Sequence, residues 1–401
     1  MDAHHTVPPS RAELVVDAEA IRHNVALLAE TARRSGAATM AVVKADGYGH
    51  GALTAANAAL AGGATWLGVR SQAEALQLRA GGVTADILCW LHEPEEDFTE
   101  AVRQRVTLSA ATPATLRAVI AAARRTGTPA AVHLKIDTGL SRNGASREDW
   151  PRLVAEAAEA SHAGHVAVGA VWSHLACADE PGHPSIDAQA ARLDEAYRVA
   201  CAAGLRPMRH LANSAATLTR PDLHFDLVRP GIACYGLNPV PGHTSAPLRP
   251  AMTLRSTVVL VKRISAGEGV SYGLTWAAER DTTLALVPVG YADGVPRLLS
   301  GRMSVWLAGA RRPIAGRICM DQFVVDCGDD TVEPGDPVVL FGPGDHGEPT
   351  ATDWADAIGT IDYEIVTGMH RPRGRRVVVD GANAAVDGGE ARPEHHAEAD
   401  E

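Results

Sequence analysis

The chain has 401 residues, 46% of them hydrophobic and 21% charged, with a formal net charge of −11. That length exceeds what one hydrophobic core usually supports, so two domains are expected. The acidic balance argues against nonspecific binding to nucleic acid, and no apolar run is long enough to cross a bilayer.

The opening residues, "MDAHHTVPPSRAE", lack the apolar centre of a secretory signal, so a cytoplasmic location is expected. Cys89, Cys177, Cys201, Cys234, Cys319 and Cys327 never form a CxxC pair. Their scatter reads as reduced thiols, neither a disulfide framework nor a zinc site, and no metal is expected. His4–His5 and His395–His396 lie in polar ends, residues 1–10 and 385–401, which read as disordered tails.

From Leu14 to about Gly236, apolar β-like runs alternate with alanine-rich helical stretches. The runs are "MAVVKA", "WLGVRS", "ADILCWL", "VTLSA", "AVHLKID", "AVGAVWSHL", "MRHLANS" and "FDLVRPG". In "TPATLRAVIAAARRTG", Leu116, Val119, Ile120 and Ala123 fall on one helical face. Thr112 is placed to cap that helix, Pro113 to start it and Gly127 to close it. Strand–helix alternation predicts a parallel sheet covered by helices. Eight repeats over this length favour a TIM-type (β/α)8 barrel, spanning 11–245, over a doubly wound open sheet.

The proline-rich connection "LNPVPGHTSAPLRPAM" suits a domain boundary. After it, "TLRSTVVLVKRI", "TTLALVPVGYA", "RMSVWLAG", "QFVVDCG" and "DPVVLFG" are short strands between turns, predicting a mainly β C-terminal domain over 246–384. One helix is expected at "TDWADAIG", capped by Thr352 or Asp353, and a last strand at "RRVVVD".

If the first domain is a barrel, its reactive residues belong at the C-terminal ends of its strands. The first of these ends, "TMAVVKADGYGHGA", sets Lys44 among Gly47, Gly49 and Gly51. Either a strand simply stops in water there, or Lys44 is a nucleophile at the barrel mouth. The other ends supply Tyr48, Arg70, Trp90, Lys135 with Asp137 and Arg142, and His174. Asn213 and Ser214 follow the seventh strand, and Arg229, Gly231 and Ile232 follow the eighth. Ser214 and the Gly231–Ile232 amides stand where such barrels bind phosphate. A lysine at the first strand and a phosphate cradle at the last two suggest pyridoxal phosphate, with the lysine amine forming a Schiff base. Taken singly, Lys135 reads equally as a rim ion pair, His174 as a core histidine and Arg229 as a surface ion pair.

Taken together, "AVVKADGYGHG", "LKIDTGLSRNG", "WSHLA", "ANSAA", "LVRPGIACYG", "VSYG", "GYADG", "GRICMDQ" and "IDYEI" resemble the successive motifs of the bacterial alanine racemases. The resemblance runs from about Leu14 to Asp380. It implies a pyridoxal-phosphate enzyme that interconverts L- and D-alanine and supplies D-alanine for peptidoglycan, acting as a homodimer with shared active sites. In this reading Lys44 holds the cofactor and is one catalytic base. Tyr272, reaching in from the second subunit, is the other. Tyr48, Ser214, Gly231, Ile232 and Tyr363 surround the phosphate, with Asn213 beside them. Arg142 bonds the ring phenolic oxygen and, with Met320 and Asp321, meets the substrate. Arg229 donates to the pyridine nitrogen with His174 behind it, and Lys135 matches a position that is carbamylated in some members.

These residue types suit the chemistry. Racemisation removes a proton from one face of Cα and returns one to the other, so one base per face is the direct solution. Free lysine and tyrosine titrate near pH 10, and each needs nearby cations or hydrogen bonds to act near neutrality. An arginine opposite the pyridine nitrogen keeps the ring a weaker electron sink than a carboxylate would, favouring reprotonation over transamination. The rival readings are a pyridoxal-phosphate decarboxylase, a non-catalytic pyridoxal-phosphate-binding protein and a nicotinamide dehydrogenase. The first would want an acidic partner for the ring nitrogen, and the second would be a barrel alone. The third needs a full GxGxxG, which "GYGHG" does not supply. Tyr272 and Tyr363 should crowd the pocket to alanine size, with some turnover of serine.

Overall fold

The computed structural model describes residues 11–369 and 375–381. It forms two compact units, one of residues Ala18–Ala251 and one of the segments before and after them. The chain opens with β1, Glu13–Asp17.

In the first unit, eight parallel strands follow one another in the sheet. They are β2 (Ala38–Val42), β3 (Trp66–Val69), β4 (Asp86–Cys89) and β5 (Thr107–Ala110). Then come β6 (Ala130–Lys135), β7 (Val166–Trp172), β8 (Met208–His210) and β9 (Leu227–Val228). β9 pairs with β2, and β2 through β8 pair in sequence. The remaining gap is bridged by Asp226 N–H to the Arg209 carbonyl at 3.1 Å and by Arg229 N–H to the Ala212 carbonyl at 2.8 Å. A nearly closed (β/α)8 barrel results, with every strand one of the eight apolar runs expected from the sequence.

Met40, Leu88, Trp172 and Leu227, from β2, β4, β7 and β9, pack together in a core cluster, so the barrel is filled rather than hollow. Burying each such side chain contributes about 1.5–3 kcal/mol. The helix Pro113–Thr126 shows how its sequence sets its ends. The Thr112 hydroxyl accepts from the Thr115 amide at 3.0 Å, Pro113 opens the first turn, and Gly127 turns left-handed at φ 66°. Leu116, Val119 and Ala123 are buried as expected, while Ile120 is only half-buried.

The second unit is a nine-stranded sheet plus a small hairpin. Its strands are β10 (Met252–Thr257), β11 (Leu260–Ile264), β14 (Thr282–Val287), β15 (Ser304–Leu307) and β16 (Ala310–Ala315). β17 (Phe323–Gly328), β18 (Pro337–Phe341) and β19 (Arg375–Val379) complete the later part. β12 (Gly269–Val270) and β13 (Trp276–Ala277) form the hairpin. The sheet order is β11-β14-β17-β16-β15-β18-β10-β1-β19.

Two expectations change here. The barrel was drawn from residue 11, yet β1 pairs antiparallel with β10 and parallel with β19, so the chain starts in the β unit. Its run "ELVVD" alternates half-buried ends with a buried centre and fits any sheet, which sequence periodicity alone does not assign. The units therefore divide at 17/18 and 251/252, not at 245/246. The helix Ala351–Ile358 is capped by Thr350, whose hydroxyl accepts from the Asp353 amide at 3.1 Å while Asp353 accepts from the Thr350 amide at 3.0 Å. This capping box puts Asp353 three residues inside the helix rather than at its cap. The expected tails, and residues 382–384, lie outside the described residues.

All six cysteines are unpaired, and the described residues contain no cluster of three or more His, Cys, Asp or Glu side chains fit for a metal. No helix among them is long and apolar enough to cross a membrane.

Candidate active site

Lys44 follows the end of β2, held there by Val42 N–H to the Pro230 carbonyl and Val43 N–H to the Gly68 carbonyl. The chain then turns left-handed through Ala45, Asp46, Gly47 and Tyr48, at φ between 52° and 62°. Gly49 and Gly51 continue at φ 84° and 96°. At Gly47 a Cβ would lie 2.8 Å from the Ala55 methyl. The three glycines thus permit a reversal that a right-handed chain would not make. The reversal tucks Tyr48 into the protein, with its ring 4.9 Å from that of Tyr235.

The Lys44 amine lies 5.9 Å from the ring centroids of both Tyr48 and Trp90. Burial lowers its pKa, as do the cations of Arg142 and Arg70, while the Glu74 carboxylate opposes them. Lys135, at the end of β6, is buried with its amine 4.3 Å over the Trp172 ring. Burial first, then Arg229 and Arg142, bring its pKa down to about 7. Arg142 itself sits exposed on the loop after β6. Asp137 ties that loop by accepting the Gly139 amide at 2.8 Å and the Ser141 amide at 3.1 Å, and Arg192 donates to the Thr138 carbonyl at 2.7 Å.

Arg229 is buried, and its guanidinium makes hydrogen bonds to neutral acceptors. Nη2 donates to the Ser173 carbonyl at 2.7 Å, the Leu211 carbonyl at 3.2 Å and His174 Nδ1 at 3.3 Å. Nη1 donates to His210 Nδ1 at 2.9 Å. Among the described residues no carboxylate pairs with it. Burial pushes its pKa down to about 9, still high enough to keep the cation at neutral pH. Because an arginine only donates, both imidazoles must offer a bare Nδ1 and carry their proton on Nε2. Burial and the same cation hold His174 and His210 neutral, well below the usual imidazole range. His210 Nε2–H then donates to His133 Nδ1 at 3.1 Å, a one-way chain from Arg229 into the core.

At the last two strands, the Ser214 hydroxyl accepts from the Gly231 amide at 2.7 Å and the Ala233 amide at 3.3 Å. A Cβ on Gly231 would sit 2.4 Å from the Tyr48 hydroxyl, so only glycine leaves that approach open. Ile232 opens the tight turn that follows, and Asn213 caps the short helix Ser214–Thr219 by accepting from the Ala216 amide at 3.1 Å. Asn213 therefore serves the turn that presents Ser214. Backbone amides and hydroxyls gathered at these two strand ends are the group types that bind a phosphate monoester.

The remaining candidates belong to the β unit. Tyr272 opens a turn between β12 and β13, where Ser271 stands at φ 64° and Gly273 at φ 76°. The Ser271 hydroxyl donates to the Arg317 carbonyl at 2.7 Å, linking this turn to the segment that ends in Met320 and Asp321. Tyr272 is 72% exposed and Met320 53%. The Met320 carbonyl accepts from the Ala292 amide at 3.0 Å, and a Cβ on Gly290 would lie 2.3 Å from it. Tyr363 lies on the helix Asp362–Gly368 with its side chain toward solvent.

Sequence reasoning passed over four residues. His210 ends the seventh strand, and His133 shares a strand face with Lys135, two residues on. Tyr235 donates from its hydroxyl to the Val42 carbonyl at 3.0 Å, bracing the end of β2. Glu74 accepts the Ala45 amide at 2.9 Å, and Ser71-x-x-Glu74 was readable as a capping box.

Two family models match most of the described chain. The family model "Alanine racemase, N-terminal domain" matches residues 16–239, and "Alanine racemase, C-terminal domain" matches 251–378. The alanine racemase of Thermobifida fusca is 58% identical over 92% of this chain and 97% of its own length. The structure of alanine racemase from Streptomyces coelicolor superposes with a TM-score of 0.89 at 53% identity, covering 92% of this chain and 98% of that one. One from Bartonella henselae, with covalently bound pyridoxal phosphate, gives 0.83 at 29% identity, covering 93% and 100%. A filled barrel carrying a partly desolvated lysine and a buried arginine at its strand ends, joined to this β unit over these matches, leaves one assignment: the chain belongs to the alanine racemase family.

Proposed function

We propose that this chain racemises alanine with pyridoxal 5'-phosphate, using Lys44 and the partner subunit's Tyr272 as its two bases. The observation that carries the cofactor is the cradle at β8 and β9, where a hydroxyl and the Gly231 and Ala233 amides converge and Gly231 leaves room for the Tyr48 hydroxyl. Tyr48, Ser214, Gly231 and Ile232 would hold the phosphate, with Tyr363 added from the β unit. Bound there, the cofactor supplies the electron sink that makes the alanine Cα–H acidic.

The chain's own residues do the rest. Lys44 would anchor the cofactor in the resting enzyme and become a free amine once the substrate takes its place. Its desolvation and the Arg142 and Arg70 charges favour the neutral amine, the form that accepts a proton near neutral pH. Tyr272 is exposed in the single chain, as a group acting on another subunit's site would be. Each base takes the Cα proton of one enantiomer, and the other returns a proton to the opposite face. Arg142, the Met320 amide and Asp321 would meet the substrate carboxylate and its surroundings.

Arg229 would donate to the pyridine nitrogen. Held charged, and with no carboxylate partner among the described residues, it would not give up its proton to the ring nitrogen, so the ring would be a weaker electron sink and reprotonation at Cα would be favoured over transamination. Lys135, with its pKa brought down to about 7, is neutral in roughly half the molecules near pH 7, the form that reacts with carbon dioxide, and as a carbamate it would pair with Arg142. A homodimer with two shared sites, a cytoplasmic location and a role in supplying D-alanine for peptidoglycan complete the reading. The purified protein should show a visible absorbance that borohydride removes together with D-alanine production. Racemisation that survives borohydride treatment would refute it.

A further inference from the structure

The left-handed turn after Lys44 is costly. Ala45, Asp46 and Tyr48 are not glycines, and each pays about 1–2 kcal/mol for that handedness. Such a turn persists only if its surroundings hold it. Asp46 accepts the Ala52 amide at 2.8 Å, and His50 Nδ1 lies 3.0 Å from the Gly47 and Tyr48 carbonyls, bracing the far side. The amide next to Lys44, that of Ala45, is taken by Glu74 Oε1 at 2.9 Å. Glu74 Oε2 meanwhile accepts the Arg70 amide at 2.7 Å and the Ser71 amide at 3.2 Å at the end of β3. One carboxylate therefore spans two neighbouring strand ends.

We propose that Glu74 is a positioning residue for Lys44, its carboxylate clamping the strained turn after β2 to the end of β3 so that the amine is presented into the barrel mouth. This rests on the reading of Lys44 as the cofactor-binding base. Its two arms are separable. Oε2 and the Ser71 hydroxyl, which accepts the Glu74 amide at 3.4 Å, form the capping box of the helix Gln72–Ala80. Oε1 alone makes the clamp. Charge-assisted bonds from three amides need a carboxylate, because a glutamine would turn N–H groups toward one of them. An aspartate, one methylene shorter, keeps the local cap and gives up the reach to Ala45.

A second consequence is electrical. The groups acting on the Lys44 amine are the cations Arg142 and Arg70 and the anion Glu74, and Lys44 in turn acts on Lys135 and His174. Glu74 is the counter-charge in that set. Neutralising it should make the amine easier to deprotonate, whereas Ser71→Ala, which breaks the cap and leaves the charge, should not.

The chain has only three lysines, Lys44, Lys135 and Lys262, so ε-carbon-labelled lysine gives a three-signal spectrum that Lys44→Ala assigns. In the full-length, cofactor-free protein, Glu74→Gln should lower the Lys44 titration midpoint by about half a unit, roughly threefold in the equilibrium. In the loaded enzyme, Glu74→Gln and Glu74→Asp should each lower kcat by about tenfold or more, while Ser71→Ala, which breaks the cap alone, stays within about twofold. Equal losses in Ser71→Ala and Glu74→Asp would make Glu74 a helix cap and overturn the proposal. So would wild-type kcat in both Glu74 variants, whatever the titration does. Lys44→Ala that retains the borohydride-sensitive chromophore would instead refute the cofactor assignment, which the lysine titration does not depend on.

Discussion

The barrel and the β unit hold their candidate groups in opposite ways. In the barrel, Lys135 and Arg229 are buried, Lys44 is half-buried, and each is pushed toward its neutral form by desolvation. In the β unit, Tyr272 and Met320 stand in solvent, fixed only through the turns that carry them. Burial shapes reactivity inside one chain. An exposed group on a rigid turn becomes reactive only when another surface covers it, and we read that surface as the second subunit's barrel.

The largest effect should come from the buried side. Lys44→Ala should lower racemisation by about a thousandfold or more and remove the chromophore, measured by coupled assay and absorbance. Next, Tyr272→Phe should cost about 10²–10⁴-fold in kcat while leaving the cofactor bound, since it removes a base and no ligand. Isotope wash-in from solvent sharpens this: abstraction from L-alanine should fail, with abstraction from D-alanine by Lys44 kept. Loss of the chromophore in this variant would mean that the two regions do not divide the work.

A smaller effect is expected behind Arg229. His210→Leu removes an acceptor and leaves a buried guanidinium N–H unpaired, a cost of about 1–3 kcal/mol in stability visible in urea titration. A variant as stable as wild type would mean that the chain from Arg229 to His133 carries no load. Smallest is a pH effect from Lys135. Its folded pKa, about 7, lies below the unfolded value near 10.4, so the unfolded chain binds more protons between these limits. With Lys135 unmodified, as in protein freed of carbon dioxide, its contribution to stability should rise with pH from about 7 toward 10, and Lys135→Met should flatten that slope in melting curves taken across the range.

Much of the barrel was legible because its signals are local. Eight apolar runs ending in polar residues gave the strand ends, and Thr112, Pro113 and Gly127 fixed one helix at both ends. The capping of the helix Ala351–Ile358 was missed by two or three residues, because Thr350, Thr352 and Asp353 are all plausible caps until the reciprocal bond is seen. β1 was misplaced for a different reason: a strand's sequence says that it pairs, and only tertiary contact says with what. The same limit hid His210 and His133. Their chemistry depends on a contact between residues 77 apart in sequence, which no spacing rule encodes. The roles proposed for Arg229 and Tyr272 rest on motif resemblance, since spacing alone suggests none for them. The left-handed turn was half legible, since three glycines announced it but Ala45, Asp46 and Tyr48 adopt it too.

The central claim is that each active site takes one base from each of two chains, and subunit mixing tests it most directly. Lys44→Ala and Tyr272→Phe proteins, each inactive alone, are mixed under conditions where exchange is verified by native mass spectrometry. In a two-fold dimer, one site of each mixed pair carries both lesions and the other carries neither. Random exchange makes about half of the dimers mixed, so about a quarter of the wild-type sites should return. Verified exchange with no recovered racemisation would place Tyr272 on its own chain's site, or outside the chemistry altogether.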